Sequence, residues 1–150
     1  MDMEMPFRLY KDDVYRLALS YTKSVQEAED VCQSVFLKLL QQERITPGKE
    51  KAWLMQVTAN HCRNLLRSSW WRKTTSLVEI PMMVQPKNTD VCQAVMALPP
   101  KYRVVIYLRY YEELTTAEMG KLLHISQTAV TTRLSQAREM LKQHLKEESV

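Results

Sequence analysis

The chain is predicted to be all-α, with two small helical domains joined by a linker. Three observations carry that prediction. Only two glycines occur in 150 residues, apolar residues recur at helical rather than alternating spacing, and the two strongest interruptions are a Pro-Gly pair and a proline-containing stretch between periodic segments. A hydrophobic content of 45% suffices for one compact domain or two small ones, each with a modest core.

The first helix is marked by Tyr10, Val14, Leu17, Ala18 and Tyr21, which share one face at i, i+4, i+7, i+8, i+11. Ser24 ends that pattern. The second places Ala28, Val31, Cys32, Val35, Leu39 and Leu40 on its apolar face and Asp30, Gln33 and Leu37 on the other. A leucine on an otherwise polar face can be the centre of a protein–protein contact. Pro47-Gly48 in the loop QQERITPGKE (residues 41–50) separates this hairpin from a third helix over residues 51–69. The expected buried stripe there is Leu54, Val57, His61 and Leu65, edged by Trp53, while Gln56, Asn60, Arg63, Asn64 and Arg67 fall on the opposite side.

Charge is distributed unevenly. Residues 1–50 carry seven basic and nine acidic side chains, whereas residues 51–75 carry five basic ones (Lys51, Arg63, Arg67, Arg72, Lys73) and no acid. A polyanion is the natural partner for such a patch. Its chemistry suits nucleic acid: Asn and Gln pair donors with acceptors as base edges require, Arg neutralises phosphate or grips guanine, and Trp70-Trp71 beside Arg72 and Lys73 can stack on unpaired bases. A merely solvated face would mix its signs.

SLVEIPMMVQPKNTD (residues 76–90) contains two prolines and no sustained period, and is read as a linker; its apolar residues suggest that it lies along a surface in at least one state. The division expected is therefore 1–75, 76–90 and 91–150. The last unit opens with a short helix over Val91 to Leu98 and restarts at Pro99-Pro100, a placement favoured in a first helical turn. TTAEMGKLLHISQTAVTTRL (residues 115–134) then has the grammar of a helix-turn-helix. Thr115 and Glu118 form a capping box, Gly120 allows close helix crossing, His124 occupies the turn, and Ser126 caps the next helix. That helix is expected to bury Val130, Leu134, Ala137, Leu141 and Leu145. Thr128, Thr131, Thr132 and Ser135 remain outward, short side chains suited to a DNA groove.

Other classes are poorly supported by these residues. No apolar run reaches the roughly 18 residues that span a bilayer, and MDMEMPFRLYKDD lacks a signal peptide's apolar core, so no membrane insertion and a cytoplasmic location are expected. Cys32, Cys62 and Cys92 are odd in number and far apart, which favours reduced thiols over a disulfide framework. His61-Cys62 are adjacent and diverge by about 100° on a helix, which suits one metal ion poorly, so no metal site or cofactor is expected. No carboxylate cluster with metal-ligand spacing lies near the basic patch, which argues against a nuclease or any other enzyme, and no small-molecule substrate is implied.

Two DNA-facing helices in two helical units make the chain resemble the extracytoplasmic-function group of bacterial sigma factors. The resemblance covers nearly the whole chain: EAEDVCQSVFLKLL (27–40) and KAWLMQVTANHCRNLLRSSWWRK (51–73) match the family's second-region signatures. ALPPKYRVVIYLRYYEELTTAEMGKLLHISQTAVTTRLSQAREMLKQHL (97–145) matches its fourth region. It implies promoter DNA and core RNA polymerase as partners, met through the β′ clamp helices and the β flap, and an anti-sigma factor as regulator. By resemblance, Asp30, Gln33 and Leu37 would dock on the clamp helices, which accounts for the outward leucine. Gln56, Asn60, Arg63, Asn64 and Arg67 would serve the minus-ten element, with Asn60 and Asn64 recognising it, Arg63 and Arg67 on the backbone, and loop 41–50 capturing a flipped base. Arg109, Thr128, Thr131, Thr132, Arg133, Ser135 and Gln136 would serve the minus-thirty-five element, and the linker would thread toward the RNA exit. The family usually has glycine where His124 stands, and histidine tolerates a left-handed turn at modest cost. The competing reading is a stand-alone helix-turn-helix regulator with residues 1–75 as sensor or dimerisation domain. The basic, amide-rich helix counts against it, since a sensor has no need of a second DNA face.

Overall fold

The structure, a computed structural model, describes residues 4–42, 45–67 and 89–148. Every regular element among them is helical, and the chain divides into two compact units, Met1–Glu79 and Ile80–Val150. The expected linker 76–90 and the Trp70-Trp71-Arg72-Lys73 cluster lie outside the described residues, apart from the backbone of Thr89 and Asp90.

In the first unit, α1 (Glu4–Thr22) packs against both α2 (Val25–Leu40) and α3 (Glu50–Arg67). Val14, Leu17, Ala18 and Tyr21 are buried as their spacing predicts. The turn out of α1 uses a left-handed Lys23 (φ 55°), and Ser24 both ends α1's pattern and caps α2, its Oγ accepting from the Glu27 N–H at 3.2 Å. α2 buries Ala28, Val31, Val35 and Leu39. Leu40 departs from the expected core face and is 54% exposed. At about 100° per residue it stands beyond the edge of the stripe centred on Val35, in line with Leu37 three residues earlier.

The buried face of α3 is also rotated, by roughly a quarter turn, from the periodicity-based stripe. Leu54, Met55, Thr58, Ala59 and Cys62 are buried, while Val57, His61 and Leu65 are only half-buried. Side-chain size favours Val57 and Leu65; close approach favours Ala59, Cys62 and Thr58, whose hydroxyl donates to the Leu54 carbonyl at 2.7 Å and so enters the core satisfied. Before α3, Ile45 is buried, and Gly48 (φ 84°) donates its N–H to both Glu50 carboxylate oxygens at 3.1 and 3.2 Å.

In the second unit, α4 (Thr89–Ala97), α5 (Pro100–Ile106) and α6 (Thr116–Leu123) pack against the long α7 (Gln127–Glu148). Pro100 starts α5 at its first turn. Arg103 is buried, 3% exposed, and its guanidinium donates to the Leu98 carbonyl at 2.7 Å, joining the start of α5 to the end of α4. Burial pushes its pKa down to about 10, which still leaves it charged at neutral pH. α5 runs on into a wide π-helical turn, Tyr107–Tyr111, in which the Tyr107 and Tyr111 rings stack at 5.2 Å. α7 buries Val130, Leu134 and Ala137; Leu141 and Leu145, expected with them, are half-buried.

Candidate nucleic-acid interface

Each unit offers one face suited to DNA, and the first offers a further stripe suited to protein. On α3 the five polar residues lie opposite the true core: Gln56, Asn60 and Arg63 are half-buried, and Asn64 and Arg67 are exposed. Three of them form a network, in which Gln56 Nε2 donates to Asn60 Oδ1 at 3.1 Å and an Arg63 guanidinium nitrogen donates to the same oxygen. After Glu50 the helix carries Lys51, Arg63 and Arg67 and no acid; Lys51 reaches Asp13 of α1 at 3.9 Å.

The neighbouring His61-Cys62 pair has a different character. Cys62 is wholly buried, and burial pushes its thiol far above the usual range; burial likewise raises Cys32 to about 11. Burial, with Lys38 adding to it, lowers the His61 pKa and so favours the neutral ring. No group of three or more metal-ligating side chains occurs among the described residues.

On α2, Asp30, Gln33 and Leu37 are all exposed, and Leu37 is 59% exposed. Leu40 extends the stripe by one turn.

The helix-turn-helix is built as its sequence dictates. The Glu118 N–H donates to Thr115 Oγ1 at 3.1 Å and the Thr115 N–H donates to Glu118 Oε1 at 2.8 Å. The Thr115 N–H, with the Thr115 side chain adding to it, holds the Glu118 carboxyl below the usual range. His124 ends α6 in the left-handed region (φ 58°, ψ 42°). A Cβ on Gly120 would lie 2.8 Å from the Ile125 carbonyl oxygen, so only glycine fits where the turn folds back. Ser126 Oγ accepts from the Ala129 N–H at 3.0 Å, and Gln127 Nε2 donates to Thr116 Oγ1 at 2.7 Å, tying α7's first turn to α6.

On α7, Thr128, Thr131, Thr132 and Ser135 are exposed together on one face, with the Thr131 hydroxyl donating to the Gln127 carbonyl at 3.1 Å. Arg133 stands apart from that group. Arg133 is half-buried on the flank away from Thr131, and Gln136 is exposed on the α5 side, where its Oε1 accepts from the Tyr102 hydroxyl at 3.2 Å. Arg109 is exposed, its guanidinium reaching the Leu114 carbonyl at 3.5 Å.

Comparison with known proteins identifies the family. The model of Sigma-70 region 2 matches residues 7–72 and that of Sigma-70 region 4 matches residues 91–141. The chain is 30% identical over 154 residues to the ECF RNA polymerase sigma factor SigM of Bacillus subtilis, covering 95% of this chain and 94% of that one. The chain belongs to the extracytoplasmic-function RNA polymerase sigma factors. The RNA polymerase sigma factor SigV of the same organism is 27% identical over 148 residues, covering 94% and 89% of the two chains. In fold, this sigma factor is similar to RpoE of Bartonella quintana, solved in complex with the anti-sigma factor NepR, with a TM-score of 0.77, 21% identity and 97% of each chain covered. Region 2 therefore contains the α2 stripe and the polar face of α3, and region 4 contains the helix-turn-helix. Sigma factors are non-enzymatic initiation factors that direct RNA polymerase to promoters.

Sequence reasoning missed two features of these surfaces. Periodicity puts Leu40 in the core, whereas its i+3 spacing from Leu37 marks it as part of the outward stripe. Arg138 lies seven residues beyond Thr131 on the same flank of α7, donates from Nε to the Tyr110 hydroxyl at 2.7 Å and places its guanidinium 5.6 Å from that ring's centre. The pairing crosses 28 residues of chain, and only the α5-to-α7 packing brings it together.

Proposed function

We propose that this sigma factor binds core RNA polymerase through Asp30, Gln33 and Leu37 against the β′ clamp helices and through its fourth region against the β flap. Asn60 and Asn64, with Gln56 beside them, read the minus-ten element, while Arg63 and Arg67 hold the backbone as the strands part. Thr128, Thr131, Thr132 and Ser135 enter the minus-thirty-five major groove; Arg109 grips phosphate, with Arg133 and Gln136 at the edges of the recognition helix. Residues 1–75 and 91–150 act as the two promoter-binding domains and 76–90 as the linker between them, threading toward the RNA exit. Base capture by loop 41–50 favours opening because it binds a state absent from the closed duplex.

The observation that carries this reading is that one chain bears two DNA-suited faces in two separate units, together with an exposed leucine stripe that neither face uses. The protein works in the cytoplasm without an active site of its own, and an anti-sigma factor holds it in check; the match to RpoE supports that regulator, since RpoE was solved with one. No helix among the described residues is long and apolar enough to cross a membrane. The test compares two assays on Asn60→Ala and Asn64→Ala. Promoter opening by the holoenzyme is expected to fall well below wild type while core-polymerase affinity is kept. Equal losses in both assays would contradict the assigned roles.

A further inference from the structure

The polar face of α3 carries one cluster whose internal bonds dictate what it can read. Arginine has only donors, so the Asn60 atom that receives from Arg63 is its carbonyl oxygen, and the orientation of the amide follows from that chemistry. Gln56 Nε2 donates to the same oxygen at 3.1 Å. An amide oxygen has two lone pairs, and both are engaged. What Asn60 still offers is its NH2 group, which has no partner among the described residues.

Deepening the minus-ten role proposed above and resting on it, we infer that Gln56 and Arg63 hold Asn60 as a donor-only reader that selects keto bases. The usual asparagine–adenine pair is bidentate, the amide oxygen accepting from N6 while the NH2 donates to N7. With the oxygen occupied, that pair cannot form. Guanine presents O6 and N7, and thymine O4, as acceptors on the major-groove edge, whereas cytosine presents only the N4 amino donor. The order imposed by a fixed NH2 is therefore guanine or thymine first, adenine next through N7 alone, and cytosine last. Gln56 acts as a positioning residue, through Asn60 rather than on the base.

Asn60→Asp is the discriminating variant, because Gln56 and Arg63 can donate to one carboxylate oxygen as they do to Oδ1, and the other oxygen then faces outward as an acceptor. The experiment is run-off transcription by the holoenzyme from a promoter library randomised over the minus-ten element, with wild type, Asn60→Ala and Asn60→Asp. Asn60→Ala locates the base position through the preference that it flattens. There, wild type is expected to favour guanine or thymine over cytosine by at least about fivefold, the scale of discrimination by one base-edge hydrogen bond. Asn60→Asp is expected to shift that preference to cytosine or adenine. A wild-type preference for cytosine or adenine at that position, or an Asn60→Asp profile that keeps guanine or thymine, overturns the inference while leaving Asn60 a base reader. If Asn60→Ala flattens no position, the base-reading role itself fails and the inference with it.

Discussion

Gly120→Ala tests whether the helix-turn-helix is held by backbone contact rather than by helix propensity. Glycine inside α6 is a poor helix former, and alanine there would gain about 1 kcal/mol from propensity alone. Against that gain, the new Cβ would sit 2.8 Å from the Ile125 carbonyl oxygen, well inside the roughly 3.3 Å of an ordinary close carbon–oxygen approach. The obstacle is backbone, so it cannot rotate away. Moving it strains the turn closed by the Ile125 N–H donating to the Gly120 carbonyl at 3.0 Å, and shifts Ser126 from its capping place on α7. Overpacking costs about 1–3 kcal/mol and a lost hydrogen bond about 1 more, so the net loss is about 1–3 kcal/mol after the propensity gain. Each kcal/mol lowers the melting midpoint of a small domain by about 4–8 °C. Thermal melts by circular dichroism, with amide hydrogen exchange resolving α6 and α7, measure it. A variant with an unchanged or higher midpoint, and α6 amides as protected as in wild type, would mean that the Ile125 carbonyl does not exclude a side chain at position 120.

Other outcomes follow from the same structure. Glu113 has φ 58°, so Glu113→Gly is expected to stabilise the second unit by about 0.5–1 kcal/mol in denaturant titration, left-handed strain outweighing glycine's added chain entropy. Thr115→Ala removes a capping oxygen and should cost about 1 kcal/mol by the same assay. The folded pKa of Glu118 is depressed, so its contribution is present at neutral pH and is lost as pH falls through that lowered value; Glu118→Gln should flatten the acid side of the stability profile. Leu37→Arg should leave the melt within about 0.5 kcal/mol of wild type because the side chain is exposed, while weakening core-polymerase affinity by about tenfold or more in a titration, as a contact-centre residue does.

The helix-turn-helix was the most legible part of the chain, because local chemistry decides it. A capping box, a small residue at the crossing, a residue able to turn left-handed and a second cap all act within a few positions, and each is found where its residue type demands. The core of α1 was equally readable from spacing. The α3 stripe was misread because periodicity weighs apolar size, whereas packing against α1 and α2 selects Ala59, Cys62 and a satisfied Thr58. The polar face of α3 was still legible, since charge and amide content mark it independently of the core. Tertiary features had no local signal: the burial of Arg103 depends on the Leu98 carbonyl, and the left-handed Glu113 and the wide turn before it depend on how α5 meets α6. The outward face of α7 was legible from spacing except at Arg133, which is half-buried on the flank away from Thr131.

This sigma factor is proposed to join core polymerase through the α2 stripe and to carry it to a promoter. Run-off transcription with bacterial core RNA polymerase, the purified protein and a library of promoter fragments tests it most directly, with Leu37→Arg alongside. Specific transcripts with wild type that vanish with the variant are the predicted result. A protein that binds duplex DNA tightly on its own and never redirects core polymerase would contradict the account.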